Sequence, residues 1–406
     1  MMISKVNRVF ILVSLLIGTK CYAQLEQPNL DRALALYFET KLDQALPLFE
    51  QIVNKEQRNP EAQTWLAETY RRLGRKEDAI RTARTALGLS PCYSFAHLVL
   101  AQASYPNTET ISVHVSKAIE CDSTDPNGWL MMWGEAIRNA DPTLRDKCLR
   151  KLVETGFFTE AALAYGRAEL RNLPNSAILL TNGDMDTYPA QAVQVTERFR
   201  TDVAVVEREH LGINWACRFM RDYQNVPLPI PDAQLDLMKD STSSSGTTIT
   251  TSDQMFRSLL DQKRNRTMNR PIALAPTVEE SFYSWSKEHF TYQGMFLLWQ
   301  PEHNNETADT TSIRKCLSGI DPEDFTGPWA SMRDRSPVRR YYTKRIVGVL
   351  FEMALTYSKE LIKAKRYVEA EKTLKWLENF ETKTELGQVS TENIVQLRHS
   401  IKNRAK

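Results

Sequence analysis

A pattern that returns after 34 residues, as from Ala33 to Ala67, constrains the fold of this chain more than any other feature. In its clearest copy, the small side chains of Ala67 and Ala79 let two helices approach closely. Gly74 supplies the turn between these helices, and Pro91 ends the second of them. The matching positions in this copy are Leu66, Ala67, Tyr70, Gly74, Ala79, Ala86, Leu87 and Pro91. The spacing therefore predicts a helix–turn–helix unit that stacks on copies of itself.

The same pattern is present on both sides of the clearest copy. The matching upstream positions are Ala33, Leu36, Leu42, Ala45, Phe49 and Ile52. A third copy starts downstream at Ala96, Leu100 and Ala101. It then decays, because Ala118 and Ile119 come about two residues early. These spacings are those of a tetratricopeptide repeat, and stacked repeats of this kind present a concave binding surface. We therefore expect a protein or peptide partner.

The first residues have the three-part layout of a secretory signal peptide. Lys5 and Arg8 precede an apolar run at 9–18, and Ala23 supplies the small residue that such a cleavage site requires. The apolar run is about half as long as the roughly 20 residues of a membrane-spanning helix. We therefore expect removal of residues 1–23, no integral membrane segment in the mature chain, and export to the periplasm or cell envelope.

Charge and cysteine content limit the classes of partner and of fold. Loss of Lys5, Arg8 and Lys20 changes the formal net charge from +2 to −1, and no basic stripe follows, so nucleic acid is not an expected partner. Of the six cysteines, five remain once Cys21 is removed. That sparse, odd set excludes a dense disulfide scaffold. We expect at most one or two bridges, with buried free thiols as the commoner state.

Beyond residue 172 the sequence changes from helical periodicity to an alternation of short apolar runs and helical stretches. The predicted strands are 177–181, 203–206, 270–276 and 295–299. Strands and helices in this order predict a parallel sheet covered by helices. The polar stretch at 241–252 ends in residues 247–251, which are compatible with an edge strand.

The predicted fold is mainly α with an inserted α/β unit, in which tetratricopeptide-type helical repeats flank a small parallel or mixed sheet. A further repeat spacing near the carboxyl terminus is formed by Tyr367, Ala370, Leu374 and Leu377. The predicted segments are a signal peptide at 1–23, helical repeats at 26–171, a small α/β domain at 172–300, a loop region at 301–336 and a C-terminal helical repeat at 337–404.

Two carboxylates stand one residue apart just beyond the first predicted strand. Ligands of open α/β sheets bind at the carboxyl ends of parallel strands, where Asp184 and Asp186 are expected. With Asn182 and Thr187 nearby, these oxygens are suited to Mg²⁺ or Ca²⁺. His210 follows the second strand and is expected at the same edge. A second interpretation needs no ligand, because Asn182 can begin a turn and Asp186 or Thr187 can cap the following helix. Both interpretations stay open.

Sequence motifs of known enzymes are otherwise absent. The chain contains no Walker loop, no dinucleotide-binding glycine pattern, no Gly-x-Ser-x-Gly elbow and no His-Glu-x-x-His. The order Asp184, Met185, Asp186, Thr187 fits the Asp-x-Asp-x-Thr of haloacid-dehalogenase-type phosphatases only superficially. In those enzymes the motif follows its strand directly, whereas two residues intervene here. The sequence therefore favours a binding protein over an enzyme.

The run TNGDMDTYP, residues 181–189, is the most specific part of a wider resemblance. The segment at about 157–300 resembles part of uncharacterised bacterial envelope proteins. Some of these join it to a multi-span membrane region similar to protein O-mannosyltransferases, with the segment and helical repeats on the soluble side. Others are soluble proteins with tetratricopeptide repeats, and this chain is similar to those. The resemblance implies an envelope location but no settled catalytic residues and, without membrane spans, no transferase chemistry.

The sequence thus predicts an exported protein-binding or scaffolding protein of the cell envelope, with an α/β module of unknown ligand. The alternative is a metal-dependent enzyme or accessory factor in glycan handling. In that alternative, Asp184 and Asp186 would hold a divalent cation, Mg²⁺ or Ca²⁺.

Overall fold

The computed structural model describes residues 29–228, 230–242, 246, 248–303, 307–325, 337–384 and 389–404. The predicted signal peptide lies outside these residues. The chain divides into two compact units, residues 1–128 and 129–406. Within the described part of the chain, no helix is both long and apolar enough to cross a membrane.

Consecutive helices of the first unit pack against one another along the chain. They are α1 (Leu30–Phe38), α2 (Leu42–Lys55), α3 (Pro60–Arg72), α4 (Lys76–Leu89), α5 (Ser94–Ala103) and α6 (Thr108–Cys121), followed by α7 (Pro126–Arg138), which crosses the division. The side chains of Asn29, Asn59 and Asn107 each accept a hydrogen bond from a first-turn amide and so cap α1, α3 and α6. Pro60 occupies the first position of α3, where no amide hydrogen is needed.

The residues that define the repeat have the environments that their spacing predicts. Ala33, Ala67 and Ala79 are fully buried, so neighbouring helices approach closely at these positions. Gly74, in the turn between α3 and α4, has φ +75°, a left-handed conformation that favours glycine. Helix α4 ends at Leu89, just before Pro91. The prediction of helical repeats is confirmed.

A disulfide bridge joins the two ends of the third helix pair. Cys92 precedes α5, Cys121 is the last residue of α6, and their Cα atoms are 5.2 Å apart. The described free cysteines, Cys148, Cys217 and Cys316, are all buried. One bridge and three buried thiols agree with the expectation from cysteine content.

Two histidines face each other between the same helices. The Nδ1 atoms of His97 and His114 are 2.8 Å apart, and Nε2 of His97 is 3.0 Å from the carbonyl oxygen of Pro91. Because a carbonyl only accepts, Nε2 of neutral His97 carries the hydrogen and its Nδ1 accepts from His114. Burial lowers the pKa of both imidazoles, and the charge of His97 lowers the pKa of His114 further. The pair is therefore built for the uncharged state.

The second unit combines a sheet with covering helices. Its elements are α8 (Pro142–Glu154), α9 (Glu160–Arg171), β1 (Ile178–Thr181), α10 (Asp184–Glu197), β2 (Ala204–Glu207), α11 (Asn214–Tyr223), α12 (Asp232–Leu235), β3 (Ser241–Thr242), β4 (Thr248–Ile249), α13 (Thr251–Arg264), β5 (Ile272–Leu274), α14 (Glu280–Tyr283), β6 (Phe290–Tyr292), β7 (Leu297–Trp299), β8 (Thr307–Ala308), α15 (Thr310–Ser318), α16 (Pro337–Lys363), α17 (Tyr367–Thr384) and α18 (Val389–Arg404), with 3₁₀ segments at Arg208–Gly212, Ser284–His289 and Pro322–Phe325.

The main sheet is mixed, with the strand order β2-β1-β5-β7-β6-β8. Strand β1 lies at the centre of its parallel part, where Ile178 is opposite Ala204 on one side and Ile272 on the other. All four residues of β1 are buried, as expected for an apolar run inside a parallel sheet. Strand β7 is antiparallel to both β5 and β6. The chain runs from β1 to β2 on one side of β1 and then from β2 to β5 on the other side. The carboxyl ends of β1 and β5 therefore flank a topological switch point.

The structure corrects one expectation outside this parallel core and adds detail to another. The region 301–336 is not simply a loop, because α15 lies within it. Asp309 caps α15 by accepting from the amides of Thr311 and Ser312, while Ile313 and Cys316 are buried. Strand β4 lies within 247–251 and is an edge strand, but it pairs with β3 in a two-stranded sheet that is separate from the main sheet.

Helix packing fixes the position of the strand ends. Helices α9 and α10 approach so closely at Gly166 that an added Cβ would be 2.9 Å from the backbone of Pro189 and Ala190. Helix α16 packs on both α9 and α10, and α17 packs on α16. Ala370, which belongs to the C-terminal repeat spacing, is fully buried in α17. Helix α10, which begins at the carboxyl end of β1, is therefore packed against both α9 and α16.

Candidate functional site

The carboxylate of Asp186 closes the turn between β1 and α10. One oxygen, Oδ2, accepts from the amide of Asn182 at 2.8 Å, and the other, Oδ1, accepts from the amide of Gly183 at 2.9 Å. The hydroxyl of Thr277, beyond β5, also donates to Oδ2. The Asp186 side chain is only 3% exposed, and both of its carboxylate oxygens accept hydrogen bonds. The turn-and-cap interpretation is therefore confirmed.

Thr187 ties the same turn to the sheet. It is fully buried, and its hydroxyl oxygen lies 2.6 Å from that of Thr181 at the end of β1. Thr181 donates its hydrogen to the carbonyl of Val206 in β2, so Thr187 is the donor to Thr181. Thr187 thus faces the interior of the protein rather than a ligand.

The remaining polar groups of the turn face in a different direction. Asn182 accepts from Nε of Arg208 at 2.9 Å. Asp184 is exposed, whereas the other four predicted site residues are buried or half-buried: Asn182, Asp186, Thr187 and His210. Burial raises the pKa of Tyr188, and the charges of Asp184 and Glu207 raise it further. The charge of Asp184 therefore acts on Tyr188, whereas the charge of Asp186 acts on a second, buried group.

That second group, which the sequence analysis did not include, consists of Tyr165 and Glu169 on α9. Both side chains are fully buried, and within the described residues neither the phenol nor either carboxyl oxygen has a hydrogen-bond partner. Burial raises the pKa of Glu169 well above its usual range, and the charge of Asp186 raises it further. Burial also raises the pKa of Asp186. Burial and the charge of Asp186 therefore both favour the protonated, uncharged form of Glu169. The only sequence signal was the four-residue spacing of Tyr165 and Glu169, which places both on the apolar face of α9.

Glu207 and His210 form a close pair at the end of β2. Nε2 of His210 is 3.6 Å from Oε2 of Glu207, and that oxygen has no hydrogen-bond partner among the described residues. Burial, followed by the charges of Asp184 and Asp186, raises the pKa of Glu207 to about 8, and burial lowers the pKa of His210 to about 4. At neutral pH the pair therefore holds one titratable proton, on Glu207.

His210 is packed among aromatic rings. Its imidazole is stacked 6.0 Å from the ring of Trp133 and lies 6.3 Å from that of Trp215. The cavity beside Glu207 and His210 has a volume of about 10 Å³, which is the size of one water molecule rather than of a substrate. In the part of the chain that the structure describes, no group of three His, Cys, Asp or Glu side chains could hold a metal ion. A cation on Asp184 and Asp186 stays a prediction.

Two protein families match different segments of the chain. The tetratricopeptide repeat family matches residues 30–93, which span α1 to α4. The family described as TMEM260-associated domain 2 matches residues 162–243. That second range contains all five predicted site residues, and the match is consistent with the resemblance to proteins that carry an O-mannosyltransferase-like membrane region. No curated protein matches the chain.

Two solved structures match the chain at low similarity. One is a thermophilic TPR protein of Thermus thermophilus, with 18% identity over 52% of this chain and 99% of that chain, and a TM-score of 0.32. Another is Naa15/Naa10 bound to HypK-THB, with 11% identity over 92% of this chain and 51% of that chain, and a TM-score of 0.29. At these TM-scores neither likeness carries an argument about function.

Proposed function

We propose that this chain is an exported scaffold of the cell envelope whose tetratricopeptide repeats bind a protein or peptide. The observation that carries the proposal is the repeat array itself, since residues 30–93 match the tetratricopeptide family and fold as stacked helices. Repeats of this kind present an extended concave surface to a partner.

Two observations support export. The amino terminus has the sequence layout of a signal peptide. A bridge such as that between Cys92 and Cys121 is typical of an oxidising compartment, because cytosolic thiols are mostly kept reduced. Both observations favour the periplasm or cell envelope over the cytosol.

The α/β module is proposed to be the soluble segment that this chain shares with O-mannosyltransferase-like membrane proteins. The match over 162–243 and the run at 181–189 support that relationship. In this chain the module would serve as a structural core or a small-ligand module beside the repeats.

A site-specific photo-cross-linker tests the scaffold proposal. Placed at Tyr105, which is 69% exposed in the first unit, it is expected to give a reproducible protein adduct in cells that express the full chain. Leu237, 76% exposed in the second unit, is the matched control and is expected to give none. The cross-linker is also placed at Val113, a second exposed position in the first unit, in case the partner does not contact Tyr105. Adducts from Leu237 alone, or from none of the three, would refute binding through the repeats.

The second candidate is a metal-dependent enzyme or accessory factor in glycan handling. It is favoured by Glu207, whose pKa is raised to about 8 beside the exposed Asp184 at the ligand-binding edge of a parallel sheet. A cation on Asp184 and Asp186 would first have to displace two amide hydrogen bonds of Asp186. The metal titration described below decides between this candidate and a purely structural role.

A further inference from the structure

A groove of about 710 Å³ opens at the amino ends of the parallel strands, at the opposite edge of the sheet from the candidate functional site. Ser176 precedes β1, Asp202 precedes β2 and Arg270 precedes β5, and all three line the groove. Its volume is that of a pocket for a small molecule. Nothing in the proposed scaffold function assigns a role to this groove.

The charged side chains that line the groove are mainly arginines. They are Arg145, Arg150, Arg198, Arg270, Asp146 and Asp202. Each aspartate is already paired, because Arg145 binds Asp146 and Arg200 binds Asp202. Pairing with Arg200 lowers the pKa of Asp202 to about 2. Both carboxylates are therefore neutralised locally, and the charge of the other arginines remains.

Two of these arginines have no partner of their own. Arg150 on α8 and Arg198 just beyond α10 are exposed, and neither makes a hydrogen bond or an ion pair with any residue that the structure describes. Their guanidinium groups therefore retain all five N–H donors for a ligand. Arginine in this state favours carboxylate and phosphate groups, which it can bind through two parallel hydrogen bonds.

Arg270 provides a further, fixed positive charge in the lining of the groove. It donates to the carbonyls of Ser176 and Gln224 at 2.7 and 2.9 Å, and to that of Ala177 at 3.1 Å. These contacts orient the guanidinium but supply no negative charge. Burial lowers the pKa of Arg270, and the charge of Asp202 only partly opposes this effect. An anion in the groove would supply the missing counter-charge.

We propose that this groove is a binding site for a small molecule that carries two or more phosphate or carboxylate groups. Arg150 and Arg198 would bind the charged groups directly, and Arg270, whose guanidinium donates to five backbone carbonyls, would add positive potential. The two unpaired charges of Arg150 and Arg198, together with the charge of Arg270, favour a multiply charged ligand over a single anion such as chloride. The polar remainder of the lining, including Gln194, supplies donors and acceptors for the body of such a ligand.

Titration calorimetry of the full mature chain tests this site, with pyrophosphate and citrate as separate probes at constant ionic strength. The test variant is Arg150→Gln with Arg198→Gln. The control is Arg58→Gln with Arg84→Gln, which removes two exposed charges from the first unit. We expect saturable binding of at least one probe, weakened tenfold or more in the test variant and less than twofold in the control.

Each outcome has a defined meaning. Binding of pyrophosphate alone supports the site and assigns it to phosphates, and binding of citrate alone supports it and assigns it to carboxylates. The absence of binding by both probes overturns the proposal, as does an equal loss of affinity in the test and control variants. Circular dichroism verifies that the variants fold, which is expected because the four substituted side chains are exposed. None of these outcomes depends on whether the repeats bind a partner.

Discussion

Replacing Asp186 by Asn separates the capping role of this residue from a role in metal binding. The two amides of the turn bind different oxygens of the carboxylate, at 2.8 and 2.9 Å. Asparagine has one carbonyl oxygen, so in Asp186→Asn the amide of Asn182 or of Gly183 faces an NH₂ group. The change is nearly isosteric, and its effect on stability therefore reports on those hydrogen bonds.

The expected loss of stability follows from the burial of the site. An unpaired buried donor costs about 1–3 kcal/mol. Part of this loss is offset because the neutral amide escapes the desolvation that raises the pKa of Asp186. We expect a net destabilisation of about 2 kcal/mol, which lowers the melting temperature of a unit of this size by roughly 4–8 °C. Asp184→Asn is the matched control. Asp184 is exposed in the first helical turn, so its loss is expected to cost under about 1 kcal/mol.

The assay is thermal and urea unfolding of both variants, repeated with Mg²⁺, Ca²⁺ and Mn²⁺. If the pair acts only as a turn and cap, the cations leave every melting temperature unchanged. Equal destabilisation by the two substitutions would refute the capping argument. A cation-dependent rise in the wild type that is lost in both variants would instead establish the metal site.

Three further perturbations test the fold. Reduction of the bridge between Cys92 and Cys121, which are 29 residues apart, is expected to lower the stability of the first unit by about 3–4 kcal/mol in urea unfolding. Because the pKa of His97 and of His114 is lowered in the folded state, the pair binds fewer protons when folded than when unfolded. The free energy of unfolding is therefore highest above the unfolded pKa of about 6.5 and falls as the pH drops below it. The urea midpoint is expected to be lower at pH 5 than at pH 7.5. Gly166→Ala is expected to cost about 2–3 kcal/mol in thermal unfolding, because its new Cβ would meet backbone.

Each of these has a contrary result that would count against it. No loss of stability after verified reduction would mean that the bridge does not constrain the unfolded chain. A stability profile that stays flat between pH 7.5 and 5, or that is unchanged by His97→Gln, would exclude the histidine pair as its source. For Gly166 the control is Gly134→Ala in α7, where an added Cβ has nothing within 4 Å. That change is expected to be neutral or to stabilise by up to about 1 kcal/mol. Equal effects at the two glycines would show that close approach is not the cause.

Local patterns in the sequence were sufficient for the repeats and for the parallel strands. Ala67, Gly74 and Ala79 act through neighbours within one helical hairpin, so their spacing alone specifies the unit. The apolar run of β1 likewise predicts burial on both faces. Asp186 was recognised as a cap because a cap is also a local feature.

Features that depend on distant parts of the chain were not predictable in this way. Glu169 is polar and was passed over, because its burial results from the packing of α9 against both α10 and the much later helix α16. Glu207 was missed because its raised pKa results from burial at the sheet edge and from the charges of Asp184 and Asp186, which lie more than 20 residues earlier in the chain. The partner of Cys92 could not be assigned, because pairing depends on the distance between Cα atoms rather than on spacing. The direction of β7 also depends on tertiary packing.

The bridge between Cys92 and Cys121 also changes how this protein responds to force. It encloses α5 and α6 in a closed ring, with the two Cα atoms held 5.2 Å apart. When the chain is pulled from its ends, the 29-residue span cannot extend, and about 90–100 Å of contour length stays hidden. The first two helix pairs can unravel fully under tension, while the third yields only after a reductant reaches it. Single-molecule stretching with and without reductant would show that missing length directly.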